Sequence, residues 1–207
     1  MKYGRVILSL GCGLVLSAFF SGCALNDQNV QLNYVPQKNV QHLTGAENVT
    51  VLVVISDQRN TKDITNGIVG YKKNISGVET TPIITDNDVP TLIRQAILTE
   101  LTARGFQPGT NNAITVVVEL TRFYNDFETG FRTGVAVAEA DMNAVVKDAN
   151  GAIVFSKLIS GIGEKSKIQY AMNEYARIAL EAALKNAVAR LFNEPAFINA
   201  LLAAGKR

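Results

Sequence analysis

Reactive side chains are scarce in this sequence. Its 207 residues include two cysteines and one histidine, His42. A hydrolase that activates serine through histidine needs that histidine on a rigid scaffold, whereas His42 lies in an Asn- and Gln-rich stretch. A GxSxG elbow, a phosphate-binding glycine loop and an HExxH motif are also missing. These absences disfavour catalysis, so we predict a protein that is not an enzyme and needs no cofactor or metal.

An excess of charge of one sign is missing as well. The formal net charge is +2, and the first 22 residues hold Lys2 and Arg5 but no acid. Without those two residues, 18 basic and 18 acidic side chains remain. Binding to nucleic acid or to an anionic membrane needs a clustered basic surface. Composition therefore predicts no nucleic-acid partner.

The N-terminus has the three parts of a secretory signal. Lys2 and Arg5 precede an apolar run from Val6 to Phe20, and the small pair Ser21-Gly22 follows. The run is about 15 residues long, which is shorter than the roughly 20 apolar residues that span a bilayer as a helix. We therefore predict that residues 1–22 are a signal peptide and not a retained anchor helix.

Cys23 follows the predicted cleavage site directly. The tetrapeptide Phe20-Ser21-Gly22-Cys23 resembles a bacterial lipobox, in which the cysteine is diacylated, freed by cleavage and then N-acylated. Phe20 replaces the usual leucine, and Ala24 stands where an inner-membrane retention signal carries aspartate. Several acyl chains together give stable anchoring, so we predict a lipid anchor on Cys23 at the periplasmic face of the outer membrane. Cys12 leaves with the signal, so disulfides and cysteine-based sites are excluded.

The remaining chain of about 185 residues suits one domain with its own core. Residues 23–47 contain few large apolar side chains and are predicted to form a lipidated flexible tether. A short strand at Leu32, Tyr34 and Val35 is the alternative for part of this segment. Residues 48–207 show no repeat and no internal linker, which predicts a single periplasmic domain.

Apolar patterning predicts the elements of this domain. A continuous run at 49–56 indicates a strand that is covered on both faces. Asp88 and Gly105 are suited to cap a helix at its two ends. Further strands are predicted at 114–123, 133–147 and 152–161, a weak hairpin around Gly77, a long helix from Asn173 and a short helix at 196–203.

The order of these elements predicts an α+β fold. The sequence β-α-β-β-β-α implies one parallel strand pair joined by a crossover helix, followed by antiparallel hairpins. We expect a mixed sheet of about four strands with helices on one face. In the strand at 133–147, the apolar alternation slips by one residue after Val137, which suggests a β-bulge.

Carboxylates are the remaining source of chemistry. Glu119, Glu139 and Asp141 lie on adjacent predicted strands, and Glu139 and Asp141 share one face. Paired acids suffice for glycoside hydrolysis. We nevertheless favour a solvated sheet face. Cross-strand ion pairs of Glu119 with Arg122 and Arg132 are an equally good interpretation of that residue.

Two other groups of residues are candidates for binding. Asp57 and Arg59 follow the first strand, and open sheets bind ligands beyond the ends of parallel strands, although an aspartate there more often caps a turn. Tyr124 and Phe127, near Phe131, are candidates for an exposed aromatic patch that contacts a partner. Packing beneath the tether is the alternative for these aromatics.

Four segments together resemble the YajG-type bacterial lipoproteins. They are DQR at 57–59, LTARGF at 101–106, ITVVVELTRFYND at 114–126 and ADMNAVVKDANG at 140–151. The resemblance implies an outer-membrane lipoprotein that faces the periplasm, without implying an activity. Only Cys23 carries over as a functional residue.

The leading hypothesis is a non-enzymatic lipoprotein whose domain binds a protein or another component of the cell envelope. One alternative is an enzyme of carboxylate type that acts on cell-wall glycans. The other is a carrier of small ligands or lipids, auxiliary to an envelope transport system, which requires an apolar cavity.

Overall fold

The computed structural model describes residues 29–110, 114–128 and 133–205. The predicted signal peptide, Cys23, Phe131 and Arg132 lie outside these ranges. The strands are β1 (Asn29–Val30), β2 (Thr50–Asp57), β3 (Ile68–Lys73), β4 (Glu79–Thr85), β5 (Gln107–Pro108), β6 (Ile114–Glu128), β7 (Gly134–Lys147) and β8 (Ile153–Ile168). The helices are α1 (Thr61–Asn66), α2 (Val89–Ala103), α3 (Asn173–Phe192) and α4 (Pro195–Ala204).

The strands form one mixed sheet arranged around the long strand β6. On one side of β6, β7 and then β8 continue as an antiparallel meander. On the other side, β2 pairs in parallel with residues 114–120 of β6. Farther along β6, at Asn125, β3 is the parallel partner instead. β5 extends the sheet beyond β2, and β4 and β1 extend it beyond β3.

The mixed α+β domain is confirmed, but the expected sheet of about four strands is wrong. The four strands predicted for the sheet are β2, β6, β7 and β8. The weak hairpin predicted around Gly77 is present as β3 and β4, which pair antiparallel and belong to the same sheet. The described residues add β1 and β5. β1 and β5 have two residues each, and β3 and β4 are rich in polar residues at their exposed ends. Such segments pair through backbone hydrogen bonds and carry little apolar periodicity, so the pattern underestimates them.

Helices α2, α3 and α4 pack on one face of the sheet, as predicted. Buried side chains of β6, β7 and β8 alternate with half-buried or exposed ones, so the opposite face is uncovered. β2 was expected to be covered on both faces. Val51 and Val53 are buried, but Val54 is 40% exposed. That expectation is wrong because a β-branched run also suits a strand with one open face.

The helix α3 lies in very close contact with β8. A Cβ atom added to Gly163 would lie 2.1 Å from the carbonyl oxygen of Ala179, and one added to Gly161 would lie 2.3 Å from that of Ala183. The neighbouring strand β7 presents Ala136, Ala138, Ala140 and Ala144 to the same interface, all of them fully buried. Small side chains on both elements therefore allow the helix backbone to touch the sheet.

The β-bulge lies in a different strand from the one predicted. The pairing of β6 with β7 shifts between Leu120 and Arg122, where the extra residue belongs to β6, whereas residues 135–147 of β7 are paired with β6 one after another. Val135 and Val137 lie on the uncovered side of β7, and the alanines next to them lie inside. The prediction was wrong because valine outweighs alanine in an apolar pattern, although here alanine is the buried residue.

The outer edge of β8 is partly covered by side chains of α3. Asn186 Nδ2 donates to the carbonyl oxygen of Ile162 at 2.7 Å, and Arg190 Nη1 donates to that of Ser160 at 2.8 Å. Unpaired edge carbonyls invite pairing with a strand of another chain. These two bonds satisfy the middle of the edge within the molecule.

The N-terminal segment packs on the domain from residue 29 onward, which differs from the flexible tether expected over 23–47. Val30 and Leu32 are 3% and 2% exposed and belong to the core. β1 pairs in parallel with the end of β4. The composition of the segment is polar on average, but a few well-placed apolar residues and a buried polar network are sufficient to hold it.

Candidate functional site

A buried polar cluster, here called the anchor clamp, joins the N-terminal segment to α2. It consists of Tyr34, Gln37, Glu100 and Arg104. The Tyr34 hydroxyl and the Gln37 backbone N–H donate to Glu100 Oε1 at 2.7 and 2.8 Å. Arg104 Nη1 donates to Glu100 Oε2 at 2.6 Å, and its Nη2 donates to Gln37 Oε1 at 3.2 Å. Both carboxylate oxygens are thus occupied.

The clamp holds Glu100 in its charged form although its side chain is fully buried. Burial alone would raise the pKa of Glu100. The donors from Gln37, Arg104 and Tyr34 outweigh burial and lower this pKa below its ordinary value. Burial and the bond to Glu100 also raise the pKa of Tyr34. The Arg104 guanidinium lies 4.3 Å from the centre of the Phe192 ring, a distance suited to a cation–π contact.

Sequence reasoning missed the clamp, although one signal was present. Glu100 falls on the buried stripe of α2, among Ile93, Ala96, Ile97 and Leu101. A charged residue on an apolar stripe is rarely buried without a partner. Arg104 stands one turn later and supplies that partner, but Tyr34 is 66 residues away in the sequence.

Further hydrogen bonds hold the same segment before the clamp. Asn29 and Gln31 donate through their side chains to Asp86 at 2.6 and 3.0 Å. The Leu32 backbone N–H donates to Asn87 Oδ1 at 2.7 Å. The chain is therefore attached to the domain from Asn29, six residues after Cys23.

Asp57 and Arg59 form a mostly buried ion pair at the end of β2. Arg59 Nε and Nη2 donate to the Asp57 carboxylate at 2.9 and 2.7 Å, and the Arg59 backbone N–H donates at 3.1 Å. The two side chains are 10% and 7% exposed. The pair closes the turn where β2 leaves β6, which favours the structural interpretation over ligand binding.

Tyr124 and Phe127 lie on opposite faces of β6, since they are three residues apart and side chains alternate along a strand. Phe127 is 2% exposed and belongs to the core, so these two residues do not form the exposed patch considered from the sequence. Tyr124 is half-buried and donates to Glu79 Oε1 at 3.2 Å. Burial and the charge of Glu79 raise its pKa.

The strand carboxylates lie on the uncovered face, as predicted, but are engaged differently. Arg122 forms its ion pair with Glu139 and not with Glu119. Glu119 instead accepts a hydrogen bond from Asn143 Nδ2 at 3.1 Å. Within the described ranges, no group of three or more His, Cys, Asp or Glu side chains is placed to hold a metal ion.

His42 is exposed, and its ring lies against Gly105 after α2. A Cβ added to Gly105 would lie 2.3 Å from His42 Nε2. Gly105 also has a φ of +100°, in the left-handed region that favours glycine. The histidine therefore covers the end of a helix.

The uncovered face of β2, β6, β7 and β8 is here called the open face. Its three long strands have 14–16 residues, which at about 3.3 Å per residue gives a length of roughly 50 Å. It mixes charged groups with exposed apolar ones, of which Leu158 is 66% and Ile162 46% exposed. Such a mixture is typical of protein interfaces.

A cleft of about 670 Å³ opens at the end of the sheet where β6 ends and β7 begins. Its apolar lining includes Ile75, Phe127, Ile168 and Tyr170. Ile75 comes from the β3–β4 hairpin, and Tyr170 from the loop between β8 and α3. An apolar cleft is the feature that a small-ligand carrier requires.

Comparisons with known proteins agree with this architecture. Residues 36–202 match a family described as uncharacterized lipoprotein. No curated protein matches the chain. Protein XCC0632 from Xanthomonas campestris is similar in fold, with a TM-score of 0.54, 12% identity and coverage of 86% of this chain and 95% of its own. A second solved structure, of an uncharacterized protein, has a TM-score of 0.50 and 14% identity, with coverage of 80% of this chain and 96% of its own.

A third solved structure is a minor lipoprotein from Acinetobacter baumannii, with a TM-score of 0.40, 9% identity and coverage of 69% of this chain and 91% of its own.

Among the described residues, no helix combines the length and the apolar character needed to cross a bilayer.

Proposed function

The chain belongs to a family of uncharacterised lipoproteins, and from this we propose that it is anchored by lipid on Cys23 to the periplasmic face of the outer membrane. We propose further that it acts by binding a protein of the cell envelope and not by catalysis. Ala24 after the lipobox supports the outer-membrane location. The short connection from Cys23 to Asn29 supports a domain held close to the membrane.

The proposal of partner binding rests on the exposed residues of the open face. Its exposed apolar residues, Val54, Leu158 and Ile162, share the face with charged residues such as the Arg122–Glu139 ion pair. Apolar surface rimmed by polar groups marks interaction sites. Of the acids that a hydrolase would need, Glu139 is held in an ion pair with Arg122 and Glu119 in a hydrogen bond from Asn143.

Cys23→Ser is expected to abolish lipid attachment. A serine cannot form the thioether to the diacylglyceryl group, so the variant should incorporate no radiolabelled palmitate and should leave the outer-membrane fraction. Cys12→Ser is the matched control and should behave like the wild type, because Cys12 lies inside the signal. Undiminished palmitate in the Cys23→Ser variant would refute the anchor.

Crosslinking in cells tests the open face. A photo-crosslinking amino acid at Leu158 or Thr121, both exposed on this face, is expected to capture a discrete envelope protein. The same amino acid at Lys185, exposed on α3, is the control and should capture none. Two outcomes would contradict binding through the open face. One is equal capture from Lys185 and from the open-face positions, and the other is no capture from Leu158 or Thr121.

A further inference from the structure

The end of the domain that carries the cleft has the two most exposed large apolar side chains among the described residues, Ile75 and Tyr170. Ile75 and Val78, in the loop between β3 and β4, are 98% and 58% exposed. Tyr170 and Met172, in the loop between β8 and α3, are 74% and 42% exposed. Both loops line the cleft. These four residues are here called the apolar tip.

Strand pairing fixes the position of Asn29 along the sheet. Asn29 pairs with Ile84, which pairs with Ile68 of β3. Gly70, two residues later, aligns with Asn125 of β6. Asn29 therefore lies at about the level of residue 123 of β6. From there, the end of β6 at the apolar tip is about five residues or 17 Å away, and its other end about nine residues or 30 Å.

The length of the chain before Asn29 decides which end can approach the membrane. Six residue steps from Cys23 span at most about 20 Å, whatever their conformation. This reach includes the level of the apolar tip and excludes the opposite end with its turn at 148–151. Because β1 runs parallel to β4, the chain also enters β1 from the side of the β3–β4 hairpin.

We infer that the apolar tip lies on the lipid bilayer to which Cys23 is attached, with Ile75 and Tyr170 at the boundary of headgroups and acyl chains. This inference rests on the proposed lipidation and adds to it a second contact and an orientation. Tyrosine suits the interface, where its ring is in apolar and its hydroxyl in polar surroundings. The strands β6–β8 then project away from the membrane, and the open face remains accessible from the periplasm.

Charge contributes little to this contact. Among the described residues at this end, Lys72, Lys73, Lys165 and Lys167 are balanced by Glu79, Asp126, Glu128 and Glu164. Docking through apolar side chains is consequently expected on neutral phosphatidylcholine and is expected to persist at high salt, since salt screens only the charged interactions.

The test uses the full-length lipidated protein in phosphatidylcholine vesicles. Ile75→Cys and Tyr170→Cys are labelled with a fluorophore, and Ala149→Cys, exposed in the turn at the opposite end, is the matched control. Phospholipids brominated on their acyl chains should quench the labels at 75 and 170, since interfacial apolar groups enter by about 5–10 Å. The label at 149 should not be quenched, and added salt should change neither result.

Three outcomes would overturn the inference. They are labels at 75 and 170 that are not quenched while the protein floats with the vesicles, a label at 149 that is quenched equally, and quenching that disappears with salt. If the wild-type protein does not float at all, the proposed lipid anchor itself fails. A second variant combines Ile75→Asp and Tyr170→Asp with a fluorophore at Val78→Cys. It should still float with the vesicles, but the brominated phospholipids should no longer quench its label.

Discussion

Glu100→Gln is expected to lower the free energy of unfolding by about 3–5 kcal/mol, the usual result of removing one partner from a buried ion pair. The substitution keeps the shape of the side chain but leaves the Arg104 guanidinium, 9% exposed, without its counter-charge. It also weakens the bonds that hold Tyr34 and Gln37. Urea unfolding of the purified full-length protein, followed by circular dichroism, measures the change.

A double variant serves as the control for this prediction. Glu100→Gln combined with Arg104→Met removes both charges, and buried pairs replaced by apolar side chains often recover stability. The double variant should therefore be more stable than Glu100→Gln alone. A single variant as stable as the wild type would show that the clamp does not hold the N-terminal segment.

The pH dependence of stability follows from the same carboxyl group. The pKa of Glu100 is lowered in the folded protein from its ordinary value of 4.5, so folding favours the charged form. Its contribution to stability is complete above pH 4.5 and is lost as the pH falls through the lowered pKa. Wild-type stability should thus decrease on acidification, and Glu100→Gln should lack this part of the decrease.

Gly163→Val is expected to cost more than about 3 kcal/mol or to prevent folding, at the upper end of what overpacking produces. A Cβ at this position would meet the backbone oxygen of Ala179 at 2.1 Å and the backbone nitrogen of Ala183 at 2.4 Å. Backbone atoms of a helix cannot turn aside as a flexible side chain can, so α3 would have to lift from β8. Thermal unfolding of the purified protein measures the loss.

Ser156→Val is the matched control on the same strand. Ser156 is exposed on the open face, where a β-branched side chain suits the strand and meets no helix. Its stability should stay within about 0.5 kcal/mol of the wild type, as is usual for surface substitutions. Equal losses in Gly163→Val and Ser156→Val would contradict the close contact between α3 and β8.

Local signals in the sequence were sufficient to predict a helix cap, a tight turn and one strand pairing. Asp88 accepts a hydrogen bond from the Thr91 backbone N–H at 3.1 Å and begins α2 as its N-cap. Asp148 accepts bonds from the N–H groups of Asn150 and Ala152 at 3.0 and 2.9 Å in the turn before β8. The parallel pairing of β2 with β6 followed from the crossover helix between them. In each case the partners are close in the sequence or joined by one crossover.

The candidate site was less accessible to sequence reasoning. Whether Phe127 is exposed depends on which face α3 covers, and the polar residues around it gave no indication. The carboxylates on the open face were placed correctly, because a period of two needs only the strand. The partner of Arg122 was predicted wrongly, because Glu119 lies on the same strand and cannot face Arg122 across the sheet. The bulge between Leu120 and Arg122 aligns Arg122 with Asp141 of β7, two residues from its ion-pair partner Glu139.

Patterns within short segments thus established the helix caps, the tight turn and the α+β class of this protein, since each depends on residues within about one or two turns of one another. Only the tertiary structure decided three other features. They are the anchor clamp, the burial of Val30 and Leu32, and the change of the strand paired with β6 from β2 to β3. They join residues more than 50 positions apart, and such contacts depend on the sheet and α2 being packed together, which no short segment encodes.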